Sequence, residues 1–283
     1  MSPRTVITGA AGRCGHWLHG HIGDALYSDL QPPPALGKDE QFLAGDLADP
    51  SFCARLLQDS ETLVHLGGES SANADLEAVV RANVTGTGNL VRAAMAARVK
   101  KIIFASSNHV MGLLERELAP TLYTRPHLAK ESRLAGRQFA PDGFYGASKL
   151  FGEGLLDLFV ASKPGRCAIS LRIGTVWAQD QDDDEAQARA YALQCQSRGM
   201  SPDPACYRAL VARQRSLRVP GPRWRAKVLD LISAQWLGHR IEPLVSQTGS
   251  WLEVVANPAS SFIRTLEEPC VCPSRTADAP NTR

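Results

Sequence analysis

The sequence predicts an α/β fold in which helices cover both faces of a doubly wound parallel sheet. Short β-branched or apolar runs alternate with longer helical patterns over the first 175 residues, and the runs end in glycines or small polar residues. This alternation is typical of parallel strands joined by crossover helices, whose ligands bind beyond the carboxyl ends of the strands. A chain of 283 residues with 44% hydrophobic residues can also bury the large core that such a fold needs.

The first predicted element is a strand that runs into a glycine-rich turn. The β-branched run Thr5–Thr8 is followed by the segment GAAGRCG at residues 9–15, and a helix is expected from Arg13 to about Ile22. Glycines at such a turn let the backbone approach a pyrophosphate, and the helix N-terminus offers free N–H groups to it. The spacing is GxxGxxG rather than GxGxxG, so it matches the dinucleotide fingerprint of a Rossmann-type fold only approximately.

The second predicted strand, Ala25–Ser28, ends at Asp29, twenty residues after Gly9. A carboxylate at this place can accept hydrogen bonds from an adenosine ribose and would repel a 2′-phosphate, which favours NAD over NADP. The alternative interpretation of Asp29 is a turn residue that precedes the proline run Pro32–Pro34.

Three further strands are predicted before residue 110, at Gln41–Ala44, Thr62–Leu66 and Lys101–Ala105. The residues that follow them are Gly45-Asp46-Leu47, Gly67-Gly68 and Ser106-Ser107-Asn108-His109. A long helical pattern that contains Asn83 separates the last two of these strands. Because the carboxyl ends of parallel strands meet at one edge of the sheet, we expect these polar residues to lie together there.

The segment YGASK places Tyr145 and Lys149 four positions apart at the start of a helical pattern, and therefore on one helix face. A lysine held near a tyrosine stabilises the phenolate and lowers the tyrosine pKa from about 10 toward the working pH. Such a tyrosine can take a proton from an alcohol. The YxxxK pattern is weak by itself and gains weight from the motifs that precede it.

The order of these motifs resembles the extended short-chain dehydrogenase/reductases. Within them, the chain is most similar to the uronate dehydrogenases and their NAD-dependent epimerase/dehydratase relatives, and the specific segment is FASSNHVMG at residues 104–112. The resemblance covers about residues 5–175. It implies a Rossmann-type domain over residues 1–175 that binds NAD and carries the catalytic residues.

The resemblance also implies a role for each matching position. The catalytic residues would be Ser107, Tyr145 and Lys149, with Tyr145 as the base. The residues that bind the cofactor would be Gly9, Gly12, Arg13, Cys14, Gly15, Asp29, Asp46, Leu47, Leu66, Gly67, Gly68, Asn83, Tyr145 and Lys149. The residues that bind the substrate would be Ser70, Ser71, Ser107, Asn108, His109 and Thr175. The choice between Ser70 and Ser71 stays open, and His109 can instead be a structural hydrogen-bonding residue.

The chemistry that the resemblance implies is the oxidation of a hexuronate at its anomeric C1 to an aldarolactone. The phenolate would remove the hydroxyl proton while a hydride passes to the nicotinamide. One alternative is an NAD-dependent sugar or nucleotide-sugar epimerase or dehydratase. Another is an NAD-binding or sensing protein whose catalysis is impaired.

The chain after residue 175 departs from the family pattern. The family's arginine for the sugar carboxylate does not fall in register here, so Arg172, Arg225, Lys227 and Arg240 are its candidate substitutes. Residues 176–269 are expected to form a small, divergent substrate lobe or insertion, and residues 270–283 a disordered tail. The basic run from Arg208 to Lys227 is interpreted as a solvated or partly disordered face, with a polyanion-binding patch as the alternative.

The composition of the chain limits the classes of partner and bound metal that we expect. A net charge of +2 predicts no nucleic-acid or membrane partner, and the absence of a leader pattern or a long apolar run favours the cytoplasm. Seven irregularly spaced cysteines favour free thiols. No metal site is expected, because Cys270-x-Cys272 lacks a second ligand pair and the cluster of His16, His19 and His21 adjoins the phosphate turn. Apolar residues on the helices that hold Asn83 and Lys149 permit a homo-oligomer.

Overall fold

The computed structural model describes residues 4–34, 36–38, 40–125, 132–133, 139–177, 184–197 and 199–245. Its strands are β1 (Arg4–Thr8), β2 (Ala25–Asp29), β3 (Gln41–Ala44), β4 (Ser60–His65), β5 (Lys101–Ser107), β6 (Cys167–Ile173), β7 (Thr175–Trp177), β8 (Arg218–Pro220) and β9 (Gly238–Leu244). Seven of them form one sheet in the order β3-β2-β1-β4-β5-β6-β9, and all of its neighbouring strands run parallel. Strands β7 and β8 form a separate parallel pair.

The helices of the described residues are α1 (Arg13–His16), α2 (Pro50–Leu57), α3 (Leu76–Val79), α4 (Thr87–Ala96), α5 (Gly112–Leu118), α6 (Phe144–Ala161), α7 (Asp184–Ser197), α8 (Pro204–Ser216) and α9 (Gly221–Ser233). A π-helical segment, Val80–Gly86, joins α3 to α4 without a break in the chain. Two short 3₁₀ turns lie at Asn108–Met111 and Thr121–Tyr123. The first of them directly follows β5 and so shapes the edge of the sheet where the polar residues gather.

Both faces of the sheet are buried. Successive residues of a strand point to opposite faces, so in β1 the side chain of Val6 enters one apolar cluster and that of Ile7 enters the other. The cluster that contains Ile7 includes Trp224 and Val228 from α9, and the cluster that contains Val6 includes residues of α2, α4 and α6. This doubly covered parallel sheet confirms the predicted fold class.

The first helix is shorter than predicted. It begins at Arg13, as expected, but it ends at His16 rather than near Ile22. The chain then tightens, because the Leu18 N–H donates to the Gly15 carbonyl and Gly20 has a φ of 74°. The Tyr27 hydroxyl donates to the Leu18 carbonyl at 2.8 Å and fixes this turn against β2. A partner on a distant strand therefore ends the helix, which local periodicity does not reveal.

The described residues after 175 form more regular structure than the sequence suggests. Helices α7 and α8 share an apolar cluster that includes Tyr191 and Leu210. Helix α9 then packs on the main sheet through Trp224, and β9 pairs with β6. Helices α8 and α9 each bury one side, so the expected partial disorder of the basic run does not hold for them, whereas Arg208, Arg215 and Arg223 are exposed, as a solvated face requires. The predicted domain boundary at residue 176 stays a prediction, although α9 and β9, within residues 221–244, pack on or pair with the main sheet. Residues 178–183 and the predicted tail, within 246–283, lie outside the described residues.

Candidate active site

Two neighbouring clefts open at the carboxyl edge of the sheet. The glycine-loop cleft has a volume of about 320 Å³, and the predicted residues that line it are Gly9, Asp29, Asp46, Leu47, Gly67 and Gly68. The tyrosine cleft has a volume of about 640 Å³, and the predicted residues that line it are Arg13, Cys14, Leu66, Gly68, Ser70, Ser71, Ser107, Tyr145, Lys149 and Thr175. Gly68 and Glu69 line both clefts, so one elongated ligand can extend from the first into the second.

The glycine turn lies directly against the end of β4. Gly9 has a φ of 74°, and a Cβ at this position would come within 2.5 Å of the Gly67 backbone nitrogen. A Cβ at Gly15 would lie 2.4 Å from the Gly9 carbonyl oxygen, while the Gly12 N–H donates to that same oxygen at 3.1 Å. These positions require glycine because backbone, which cannot yield, occupies the space of the side chain. Gly12 and Gly15 thus shape the turn without lining the clefts.

Asp29 is held in place at the end of β2. One carboxylate oxygen accepts the Ala11 N–H at 2.9 Å, and the other accepts the Leu30 N–H at 2.7 Å. The neighbouring Ser28 lines the same cleft, and its buried hydroxyl oxygen has no hydrogen-bond partner among the described residues. A fixed carboxylate beside an unsatisfied hydroxyl gives this end of the cleft the means to bind a polar ligand such as a ribose.

Asp46 forms the opposite wall of the glycine-loop cleft. Its carboxylate accepts the Ala48 N–H at 2.8 Å and pairs with Arg81 at 2.5 Å. The backbone hydrogen bond is the main reason that the pKa of Asp46 lies below its ordinary value, and Arg81 adds to it while partial burial opposes it. Asp46 is therefore ionised at neutral pH. Leu47 follows it, and its carbonyl accepts a hydrogen bond from Asn89.

Ser107, Tyr145 and Lys149 come together in the tyrosine cleft, from the end of β5 and the first turns of α6. The Lys149 ammonium lies 5.7 Å from the centre of the Tyr145 ring and 5.2 Å from that of Phe104. Lys149 is only 6% exposed, and this burial lowers its pKa to about 8. Burial of the charged form is unfavourable because the protein solvates it less well than water does.

The pKa of Tyr145 is raised, and the prediction of a lowered value is wrong for this structure. Burial is the largest cause; the hydrogen bond with Ser107 lowers the pKa, and the negative charges of Cys14, Glu69 and Asp142 raise it further. The lowering contribution thus comes from Ser107 rather than from Lys149.

Asn83 braces the wall behind these residues. Its side-chain amide donates to the Glu69 carbonyl and to the Ser148 hydroxyl, both at 3.0 Å. The Ser148 hydroxyl in turn donates to the Tyr145 carbonyl at 2.7 Å. Asn83 therefore links the β4 loop to α6, and it lies behind the clefts rather than in their lining.

Asn108 and His109 do not line either described cleft. Asn108 is 6% exposed within the 3₁₀ turn after β5. The His109 ring lies edge-on to Tyr145, with ring centres 5.6 Å apart, and its Nδ1 lies 2.7 Å from a carboxylate oxygen of Asp142. The structure therefore places His109 beside the predicted base, and its role in substrate binding stays a prediction.

Three of the four candidate cations for a substrate carboxylate contact other side chains, and the fourth lies on β9. Arg172 forms a buried bidentate pair with Glu153, with distances of 2.9 and 2.8 Å. Lys227 pairs with Glu242 at 2.6 Å, Arg225 contacts His21 at 2.8 Å, and Arg240 lies on β9. In the described part of the chain, the cations that line the tyrosine cleft are Arg13 and Lys149.

Sequence reasoning missed Glu69, Asp142 and Glu153. Glu69 directly follows the predicted glycine pair after β4, Asp142 precedes Tyr145 by three positions, and Glu153 follows Lys149 by four. The spacing of Glu153 was a usable signal, since residues four apart on one helix share a face, whereas Glu69 and Asp142 lie in loops that this rule does not reach. The described residues hold no group of three or more His, Cys, Asp or Glu side chains suited to a metal ion. None of the described helices combines the length and apolarity that crossing a membrane requires.

Comparison with known proteins places this chain in a family. The model of the NAD dependent epimerase/dehydratase family matches residues 5–202. An NAD-dependent glucose-6-phosphate dehydrogenase from Haloferax volcanii is 35% identical over 166 residues, which cover 55% of this chain and 62% of that protein. A uronate dehydrogenase from Pseudomonas putida is 33% identical over 184 residues, which cover 63% of each protein.

The fold similarity extends further along the chain. A solved structure of a mutated uronate dehydrogenase aligns with a TM-score of 0.65 and 25% identity, covering 88% of this chain and 76% of the other. The sequence matches to the curated relatives, by contrast, span less than two thirds of those proteins. The family match, which includes most of the main sheet and all three residues of the tyrosine cleft's Ser-Tyr-Lys set, shows that this chain belongs to the NAD dependent epimerase/dehydratase family.

Proposed function

We propose that this protein is an NAD-dependent dehydrogenase that oxidises a sugar acid, a hexuronate, at its anomeric C1. One observation carries the proposal: Ser107, Tyr145 and Lys149 meet in a cleft that continues into the glycine-loop cleft. A hydroxyl, a phenol and an ammonium at one point can hold an alcohol and take its proton. The similarity to uronate dehydrogenases supports the substrate class.

The residues of the glycine-loop cleft fit NAD. Asp29 would accept the hydroxyls of the adenosine ribose, and the unsatisfied Ser28 hydroxyl lies in the same wall. Gly9 would let the pyrophosphate approach the backbone, because no side chain can be built there. When bound, NAD supplies the hydride acceptor and a positively charged nicotinamide ring.

The protein's own residues would handle the proton. The Ser107 oxygen accepts the His109 N–H at 3.2 Å, and with substrate bound the Ser107 hydroxyl would donate to the C1 oxygen of the sugar in place of Tyr145. Tyr145 would receive the proton that leaves this oxygen. Its pKa is raised by burial in the structure, and a positive charge placed in the same cleft would lower it. Lys149, which is also buried there, would hold the ribose next to the nicotinamide.

The identity of the sugar depends on the partner of its carboxylate. Burying a carboxylate without a cation costs several kcal/mol. Within the described residues, Arg13 is the cation that lines the tyrosine cleft besides Lys149, and Glu69 adds a negative charge. A test of the proposal must therefore include neutral sugars, and also sugar phosphates, since a relative is a glucose-6-phosphate dehydrogenase.

The test is a substrate panel with NADH absorbance as the readout. The panel holds glucuronate, galacturonate, neutral aldoses, sugar phosphates and nucleotide sugars, each with NAD. We expect NADH to accumulate with a uronate and the Tyr145→Phe variant to lose turnover while keeping its affinity for NAD. Tyr207→Phe, in helix α8, is the matched control and should keep full activity.

Each alternative predicts a different outcome of the same panel. Turnover of a neutral sugar alone would overturn the substrate class and keep the dehydrogenase. Isomerisation of a nucleotide sugar without net NADH would instead identify an epimerase. Binding of NAD by calorimetry without turnover of any compound would reject the catalytic proposal.

A further inference from the structure

A carboxylate and an imidazole form a pair directly beside the proposed base. The Nδ1 atom of His109 and a carboxylate oxygen of Asp142 are 2.7 Å apart, and both side chains are partly buried. Asp142 lies in the loop that enters α6, three residues before Tyr145. His109 lies in the turn after β5, and its backbone N–H donates to Ser107. The pair thus connects the segment that carries Ser107 to the segment that carries Tyr145.

The surrounding backbone leaves room for this pair and little else. A Cβ at Gly112 would lie 2.2 Å from the Asp142 carboxylate, and a Cβ at Gly146 would lie 2.3 Å from the His109 carbonyl oxygen. Arg116 holds the loop from the other side, since its guanidinium donates to the Asp142 carbonyl at 2.7 Å. Two glycines and a clamped loop therefore fix where the carboxylate lies relative to the phenol.

We propose that Asp142 and His109 are positioning residues that align Ser107 with Tyr145, and that the Asp142 carboxylate adds a negative charge that opposes ionisation of the phenol. Neither residue needs to touch the substrate. The catalytic part of this inference rests on the proposed dehydrogenase function, whereas the effect on the ionisation of Tyr145 can be measured without any turnover.

The charge effect has a definite sign. The titratable or polar groups that face Tyr145 are Cys14 from the glycine turn, Glu69 from the loop after β4, Ser107 and His109 from the end of β5, Asp142 from the loop before α6 and Lys149 from α6 itself. Asp142 is one of the negative charges that oppose the phenolate. Removing its charge should therefore make Tyr145 easier to ionise. The rising limb of the pH profile of kcat, where activity increases as Tyr145 loses its proton, should then move toward lower pH.

Two substitutions separate charge from contact. Asp142→Asn removes the charge and keeps an oxygen that can accept the His109 Nδ1–H, so we expect the rising limb of the pH profile of kcat to move acidward by on the order of 0.5 pH unit. Asp142→Ala also removes the contact, and we expect kcat to fall by about tenfold or more because Ser107 and Tyr145 lose their alignment.

The chain contains a matched control. Asp157 and His239 form the same kind of pair at 2.7 Å, and Asp157 lies on α6 twelve residues beyond Tyr145. Asp157→Asn should leave both kcat and the pH profile unchanged. If it shifts the limb as much as Asp142→Asn does, the effect is one of general charge, and the proposal is overturned.

A second measurement keeps the inference independent of turnover. The ultraviolet absorbance of tyrosinate is titrated in each protein, and the curve of the same protein with Tyr145→Phe is subtracted to isolate Tyr145. We expect the isolated titration to move to lower pH in Asp142→Asn and to stay in place in Asp157→Asn. If the Tyr145 titration does not move in Asp142→Asn, the inference is overturned, even if the enzyme is active. If the titration moves but no sugar is turned over, only the proposed function is rejected.

Discussion

The buried ammonium of Lys149 should destabilise the folded protein, and replacing it should raise stability while it abolishes activity. Burial lowers the pKa of Lys149 from 10.5 to about 8. At about 1.36 kcal/mol for each pKa unit, holding this charge in the cleft at neutral pH costs at most about 3 kcal/mol. Lys149→Met keeps most of the apolar stem and removes the charge. We therefore expect the free energy of unfolding to rise by about 1–3 kcal/mol near pH 7.

The effect of this substitution depends on pH in a predictable direction. Between pH 8 and 10.5 the unfolded chain holds the Lys149 proton more tightly than the folded protein does, so the wild type gains stability as the pH rises through this window. The variant lacks this gain. The difference in the free energy of unfolding between the two proteins should therefore shrink as the pH rises from 8 to 10.5 and nearly vanish above pH 10.5.

Urea unfolding followed by fluorescence at a series of pH values measures both effects. Lys163→Met, at an exposed position just after α6, is the matched control and should change stability little at any pH. The reasoning would be refuted if Lys149→Met were less stable than the wild type near neutral pH, or if its advantage did not change with pH. Loss of NADH formation in Lys149→Met, together with a gain in stability, would show that Lys149 is needed for activity although it destabilises the folded protein.

Three further predictions concern the walls of the site. Gly9→Ala should weaken NAD binding by about tenfold or more in calorimetry, because a Cβ would lie 2.5 Å from the Gly67 nitrogen. Burial lowers the pKa of His65 from 6.5 to about 3, so the wild type should lose stability as the pH falls through this range; His65→Gln should flatten this loss in acid titrations followed by circular dichroism. Glu153→Gln should lower stability in urea by about 3–5 kcal/mol, because it removes the carboxylate that neutralises buried Arg172.

The sequence was sufficient to predict five of the seven strands of the sheet, because these strands are short, mostly apolar runs whose ends carry glycine or polar residues. Strands β2 and β3 begin where they were predicted, and β5 is longer by two residues because Ser106 and Ser107 continue its pairing with β6. Strand β9 was not predicted, since Gly238–Leu244 holds three polar or charged residues and becomes a strand through its pairing with β6. Local patterns predict strands that are mostly apolar, whereas a polar edge strand such as β9 depends on its neighbour.

The same distinction applies to the site. The meeting of Ser107 with Tyr145 and Lys149 was implied by the family resemblance, and the structure brings the three side chains together in one cleft. The direction of the Tyr145 pKa shift did not follow, because it is set by burial and by Glu69 and Asp142, which approach from other loops. Spacing along a helix indicates which groups are neighbours, but the balance of desolvation and charge depends on the whole tertiary environment.

Helix α6 carries two buried ionisable side chains four residues apart, and their different partners explain how the cleft keeps a reactive cation. Glu153 and Lys149 lie at the spacing at which a carboxylate and an ammonium normally pair on a helix. Arg172 instead binds both oxygens of Glu153, and the Ser106 hydroxyl donates to one of them at 2.6 Å. Since Glu153 is thereby satisfied, Lys149 has no carboxylate partner among the described residues, and its charge stays directed at the cleft. Pairing Glu153 with Arg172 thus stabilises one buried charge and leaves the other free to act on a ligand.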